Sequence, residues 1–242
     1  MDALHIILLI LIGAGAGFVQ RVSGFGLGIF AMIFLPHFMP THTDAAAISS
    51  LFSCVTATYN FIYYRKNVAY KTAVPMICAA LISIPIAVHF SSVVSGDIFK
   101  ILLGVMLIII SIYFIFFSKN IKVRPTFING LLAGTLGGTL SGLFSTGGPP
   151  AVIYLNNATK DNITYFATIQ FYFCFTNIYS TSTRILSGLI TPAILLYSAI
   201  GLIGCVIGDS VGRTVFNRLD SAKLKHVIYA GMIFSGIIML IR

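Results

Sequence analysis

Ten apolar stretches fill almost the whole of this 242-residue chain, and two of them, the second and the seventh, are short for a helix that crosses a bilayer. They run over about 3–20, 24–40, 45–64, 72–90 and 98–117, then 126–144, 147–156, 163–183, 190–212 and 223–241. A straight span needs ~20 residues, and the seventh stretch has only about ten. With 57% of residues hydrophobic and 9% charged, the fold class is an all-α polytopic membrane protein, a single transmembrane domain over 1–242. The apolar start LHIILLILIGAGAG lacks a basic region before it and reads as a retained helix rather than a leader.

The two short stretches carry the polar, glycine-bearing runs QRVSGFGLGIFAMIFLP (Gln20–Pro36) and LSGLFSTGGPPAVIYL (Leu140–Leu155). Irregular backbone at membrane depth survives only where protein covers it or where it lines a cavity. Each run is therefore expected to be a broken or re-entrant helical hairpin with the stretch before it. In the first, Gly24, Gly26 and Gly28 recur at every second residue. That spacing suits a backbone break at 22–28, with small-residue helix packing as the alternative. In the second, Ser145-Thr146-Gly147-Gly148 precedes Pro149-Pro150, and proline favours the first turn of a helix. A half-helix starting near Pro149 would turn its positive end, with the Ser145 and Thr146 hydroxyls, toward an anion.

The stretches fall into two sets of five, a first repeat over 1–117 and a second over 126–242, joined by a connector at 118–125. Five is odd, so the second set enters from the opposite side and the repeats are inverted. Discontinuous helices of inverted repeats meet near the bilayer midplane, where secondary transporters bind substrate. Ser23-Gly24 matches Ser141-Gly142, Arg65 matches Arg184 at the end of the third stretch, and Lys100 matches Lys225 at the start of the fifth.

Basic residues fix the expected orientation. With both termini outside, Arg21, Arg65, Lys66, Lys71, Lys119, Lys122, Arg124, Lys160, Arg213, Arg218, Lys223 and Lys225 lie inside, against Lys100, Arg184 and Arg242 outside. The connector is then cytoplasmic and the chain belongs in the cell inner membrane. The same distribution makes the net charge of +9 topological rather than a nucleic-acid footprint.

Composition also removes chemistries. All six acidic residues are Asp, so relays built on intramembrane glutamate are excluded. Cys54, Cys78, Cys174 and Cys205 are scattered through apolar sequence, and His37, His42 and His89 sit near segment ends. That pattern offers no metal cluster, no cofactor site and no catalytic constellation, so a membrane enzyme is disfavoured.

The candidate substrate-binding residues are Gln20, Arg21, Ser23, Gly24, Gly26, Ser145, Thr146, Gly147, Gly148, Gln170 and Asn177. Neutral amides can replace an anion's hydration shell without holding it too tightly to release. Gln170 and Asn177 share a helix face, and interhelical hydrogen bonding is the alternative reading for both. Arg21 either draws an anion to the cavity or snorkels to the inner headgroups. Asp209, inside the glycine-spaced run Gly204, Gly208, Gly212, is the candidate for ion coupling, while those glycines suit helix packing.

Taken together, FVQRVSGFGLGIFAMIFLP, LSGLFSTGGPPAVIYL and ILSGLITPAILLYSAIGLIGCVIGDSVGRTVFNRL resemble, in that order, the signatures of the TauE/SafE sulfite exporter family. The first lacks the uninterrupted glycine triplet of many relatives. The resemblance implies a permease for small sulfur-containing or organic anions, such as sulfite or sulfonates. Export is favoured, because an interior-negative membrane drives a monovalent anion outward. Ion-coupled uptake of a sulfonate, sulfate, thiosulfate or carboxylate is the alternative. The expected partners are that anion and the lipid.

Overall fold

The computed structural model describes residues 3–117, 123–215 and 221–241. Within them lie ten α-helices, one in each apolar stretch: α1 Ala3–Ser23, α2 Leu27–Phe34, α3 His42–Tyr64, α4 Tyr70–Val93, α5 Gly96–Ile112, α6 Phe127–Phe144, α7 Gly148–Ala158, α8 Asn162–Leu186, α9 Pro192–Val215 and α10 Ser221–Ile241. Among the described residues there is no strand, and six helical spans are long and apolar enough to cross a bilayer. Lys119, Lys122 and Arg218, three of the charges that weigh in the orientation, lie outside the described residues, as do the side chains of Lys223 and Lys225.

The helix that fails the apolar test explains the architecture. At 25 residues α8 is the longest, yet its sequence is rich in Thr, Ser, Gln and Asn. It lies inside the bundle against α3, α4, α6 and α7, and thirteen of its residues are buried. Large apolar side chains such as Ile82, Ile86 and Leu132 point outward, at 71%, 68% and 57% exposure, which inverts the soluble pattern as lipid requires.

Helix directions follow from the contacts. A Cβ on Gly204 or Gly208 of α9 would collide with the carbonyls of Ile10 or Ala14, so α9 lies parallel to α1 at backbone distance. The same holds between α6 and α4, where Gly134, Gly138 and Gly142 abut Met76, Ala80 and Ala87. Without a hydrophobic drive between helices in lipid, close approach of small residues is what supplies attraction. The glycines around Asp209 thus serve packing. By contrast α3 and α8 are antiparallel, with Thr181 Oγ1 donating to Ser50 Oγ (3.3 Å) at one end and Thr58 Oγ1 3.5 Å from Cys174 Sγ toward the other. The pair α5 and α10 is antiparallel too, with Gly104 against Gly236 and Phe114 stacked on Tyr229 at 5.2 Å.

Two proposed correspondences differ in environment. Arg65 sits exposed in a short 3-10 turn after α3, whereas Arg184, in the last turn of α8, is fully buried. Arg184 lies on the buried face of α8, against Gly142 of α6, and so lacks the escape to solvent that a segment-end arginine ordinarily takes. Lys225 has no described side chain to set against Lys100.

Candidate functional site at the two helix breaks

Both glycine runs interrupt the helix. The first break spans Gly24 to Gly26, and these two glycines take φ of 79° and 98°, conformations costly for any residue with a Cβ. The second lies between Phe144 and Gly148, and its Ser145 adopts φ 56°, a strained value for a non-glycine residue. A hydrogen bond from Ser145 Oγ to the Ala46 carbonyl (2.7 Å) helps hold it there.

The first break is braced by the amides. Gln20 Oε1 accepts from the Leu27 N–H (3.3 Å), Gln20 Nε2 donates to Gln170 Oε1 (3.1 Å), and Gln170 Nε2 donates to the Gly24 carbonyl (2.8 Å). The Ser23 hydroxyl turns back on its own segment, donating to the Val19 carbonyl (2.7 Å) and contacting the Phe25 carbonyl. Interhelical bonding is therefore what Gln170 does in this structure.

The breaks touch. A Cβ on Gly28 would run into the Ser145 carbonyl, and one on Gly148 would stand 3.3 Å from the Phe25 ring. Between them is a cavity of about 20 Å³, lined by Gln20, Gly26, Ser145, Thr146, Gly147, Gly148 and Asn177 from the sequence-derived set. Ser53, Gly28, Ile29 and Phe173 complete it. That volume admits about one water. Of its polar side chains, Thr146 is 2% exposed and its Oγ1 has no hydrogen-bond partner.

Two half-helices start at this cavity. Most spans begin with a side-chain cap, such as Thr41 on the Asp44 N–H (3.0 Å) or Thr126 on the Asn129 N–H (3.3 Å). In contrast α2 and α7 begin at Gly26 and Gly147, which have no side chain to cap with, and α4 likewise begins uncapped at Ala69. Of the α2 N–H groups, Gln20 takes only that of Leu27. Helix N-termini leave N–H groups unused and carry about half a positive charge. At α2, Gly28 and Ile29 precede the first intrahelical bond, from Phe30 to the Gly26 carbonyl (2.8 Å). At α7, Pro149 and Pro150 have no N–H, so Gly148 is the donor of that first turn. The second terminus is thus poorer in donors than expected from the glycine run alone.

Arg21, Ser23 and Gly24 line a different, larger cavity of about 340 Å³, together with Tyr64, Phe166 and Arg213. Arg21 does not snorkel. It is 4% exposed, its Nε lies 3.2 Å from Asp209 Oδ1, and its guanidinium sits over the Tyr64 and Phe166 rings at 5.9 and 5.7 Å. Arg213 reaches the other carboxylate oxygen of Asp209 at 3.4 Å. Next in sequence to the lining residue Asn162, Asp161 caps α8, accepting from Thr164 N–H (2.9 Å), Thr164 hydroxyl (2.8 Å) and Ile163 N–H (3.0 Å). Those bonds, Thr164 N–H foremost, hold its carboxyl below the usual carboxylate range.

Sequence reasoning missed Ser53, Arg213 and Arg184. Ser53 belongs to a run with Ser49, Ser50 and Thr56 inside an apolar stretch, a polarity that marks an interior helix. Arg213 and Arg184 end their stretches and read as interfacial anchors. Yet Arg184 is 0% exposed, donates to the Gly142 carbonyl (2.6 Å), and leaves Nε and Nη1 without partners. No group of His, Cys and Asp that could hold a metal occurs among the described residues.

Comparison with known proteins agrees with this architecture. No curated protein and no solved structure matches the chain. The family model described as "Sulfite exporter TauE/SafE" matches residues 9–239, which takes in both breaks and both cavities. On that match, this multi-pass membrane protein belongs to the TauE/SafE sulfite exporter family, whose members are membrane transporters of sulfite or related anions.

Proposed function

We propose that the chain is an anion permease whose substrate is held, near the bilayer midplane, between the N-termini of α2 and α7. One observation carries this reading: two half-helices that start at glycine, with N–H groups of their first turns left over, converge on a cavity that contains an unpartnered, buried hydroxyl, Thr146. Oriented N–H dipoles attract an anion without a fixed charge that would retain it. Asn177 and Ser53 supply further neutral contacts from α8 and α3. Because the cavity admits about one water, the conformation described is closed on the substrate site, and passage requires α2 and α7 to separate.

The two halves act as inverted repeats, and the helix pairing supports this. A two-fold exchange of the halves turns the α1·α9 seam into α6·α4, both parallel, and maps α3·α8 and α5·α10 onto themselves, both antiparallel. Termini lie outside and the Arg21 and Arg213 end faces the cytoplasm of the inner membrane. There, an interior-negative potential of 100 mV drives a monovalent anion outward with ~2.3 kcal/mol, so export needs no co-substrate. Asp209, held by Arg21 and Arg213, serves as their counter-ion, which leaves no free carboxylate for ion coupling at this site.

The test is anion flux in proteoliposomes with an imposed potential and no ion gradient, comparing sulfite, sulfonates, thiosulfate, sulfate and short carboxylates. Uncoupled efflux from the negative side is expected, and Thr146→Val is expected to reduce it at least about tenfold. Flux that requires a proton or sodium gradient would instead establish coupled uptake. The glycine changes Gly147→Leu and Gly148→Leu also stop transport, but a Cβ at Gly147 already stands 2.5 Å from the Gly137 carbonyl, so the threonine variant separates binding from packing.

A further inference from the structure

Arg21 is buried yet not fully used. Its Nη2 has no hydrogen-bond partner, and its Nε, though 3.2 Å from Asp209, is not aligned to donate to it. A guanidinium with idle donors inside a protein is costly unless something completes its shell. The 340 Å³ cavity in front of it is where that something fits.

We propose that this vestibule is a second anion site, separate from the midplane cavity, where Arg21 and Arg213 hold one monovalent anion bearing an apolar body before it passes inward along the chain's break. The inference rests on the permease reading above and adds a place, a charge and a shape to its substrate.

The charge comes from a count of the lining. Among the described residues Arg21 and Arg213 are the cations of the lining, and Asp209 neutralises one of them, leaving a net single positive charge. The other nearby carboxylate, Asp161, spends its oxygens on the α8 N-terminus. Those bonds also cap the α8 N–H groups, so the arginines rather than the helix end must meet the anion. A monoanion balances the site, whereas a dianion leaves it one charge in excess.

The shape comes from volume and walls. About 340 Å³ falls in the range of cavities that take small organic molecules, far more than an inorganic oxyanion fills. Tyr64, Tyr165 and Phe166 line it, and the Tyr64 and Phe166 rings meet edge-on at 5.1 Å while flanking the Arg21 guanidinium. An anion with its head on Arg21 lays its apolar part along these rings.

The vestibule and the cavity are divided by the Gln20, Gln170 and Gly24 bonds, so binding at one is separable from binding at the other. Calorimetric titration of the protein in nanodiscs with benzenesulfonate, methanesulfonate and sulfate tests this. Arg213→Gln is the informative variant, because the Arg213 side chain is 44% exposed and its loss leaves the fold intact. Wild type and Thr146→Val are expected to bind benzenesulfonate equally, Arg213→Gln at least about tenfold more weakly, and sulfate to bind the wild type at least about tenfold more weakly than benzenesulfonate. The proposal is overturned if sulfate binds as well as benzenesulfonate, if Arg213→Gln binds as wild type does, or if Thr146→Val alone abolishes binding. In that last case the permease reading stands with a single site. Vestibule binding without any flux would sink the permease reading and leave the site in place.

Discussion

Thr146 and Gln170 are both buried polar residues at the breaks, but their bonding predicts opposite phenotypes. Thr146 Oγ1 has no partner to lose, so Thr146→Val leaves thermal stability in detergent unchanged or raised by up to about 1 kcal/mol, while flux falls. Gln170→Leu strips the partners from Gln20 and the Gly24 carbonyl, each a buried group worth about 1–3 kcal/mol when unsatisfied. Its melting temperature should drop clearly, whatever the flux does. If Gln170→Leu melts as wild type does, the brace is not what holds the first break. Arg184 gives the reverse case. With two nitrogens unpartnered and no exposure, Arg184→Met should melt no lower than wild type, because replacing an uncompensated buried charge by an apolar side chain of similar length is neutral or stabilising. A destabilised variant would mean that its bond to the Gly142 carbonyl outweighs the buried charge. Thr146, Gly147 and Asn177 could be picked from the sequence because polarity or glycine in an apolar run is expensive. Arg184 could not, since an arginine at the end of an apolar stretch has the same local sequence whether it reaches headgroups or is sheathed by neighbouring helices.

At the level of helices, glycine acts in two ways that a substitution pair separates. A Cβ on Gly208 of α9 would strike the Ala14 carbonyl of α1, and backbone cannot yield as a side chain can. Gly208→Ala should therefore force the seam apart and cost about 1–3 kcal/mol in thermal unfolding. Gly96, at the start of α5, has nothing within 4 Å, so Gly96→Ala should unfold within about 0.5 kcal/mol of wild type. Equal effects would remove the argument that α1 and α9 are held by close approach. All ten helices were legible as apolar stretches, and both breaks as glycine with positive φ or a proline start, because those features are local. Which helix meets which was not legible. A glycine every fourth residue announces that some backbone comes close, and only the folded chain identifies it as α1 against α9 and α4 against α6. Nor did the apolar pattern reveal that α8, the most polar long helix, would be the inner one carrying Gln170, Asn177 and Arg184.

For the molecule as a whole, the inverted repeat we propose can be tested by side-specific chemistry. The third helices of the two halves, α3 and α8, are antiparallel, so their C-terminal ends emerge on opposite faces of the bundle. Asn67, just past α3, and Ser187, just past α8, are both exposed. In the orientation we propose, Asn67, beside Arg65 and Lys66, faces the cytoplasm and Ser187 the outside. A membrane-impermeant maleimide should accordingly label Ser187→Cys in intact cells and Asn67→Cys only after permeabilisation. The reverse pattern would turn the molecule over and place the Arg21 and Arg213 vestibule on the outer face, where it would meet anions from outside the cell rather than from the cytoplasm. Labelling of both positions from one side would contradict the antiparallel pairing of α3 and α8. With it would go the two-fold relation that brings the α2 and α7 termini together, and thus the physical basis for holding an anion there.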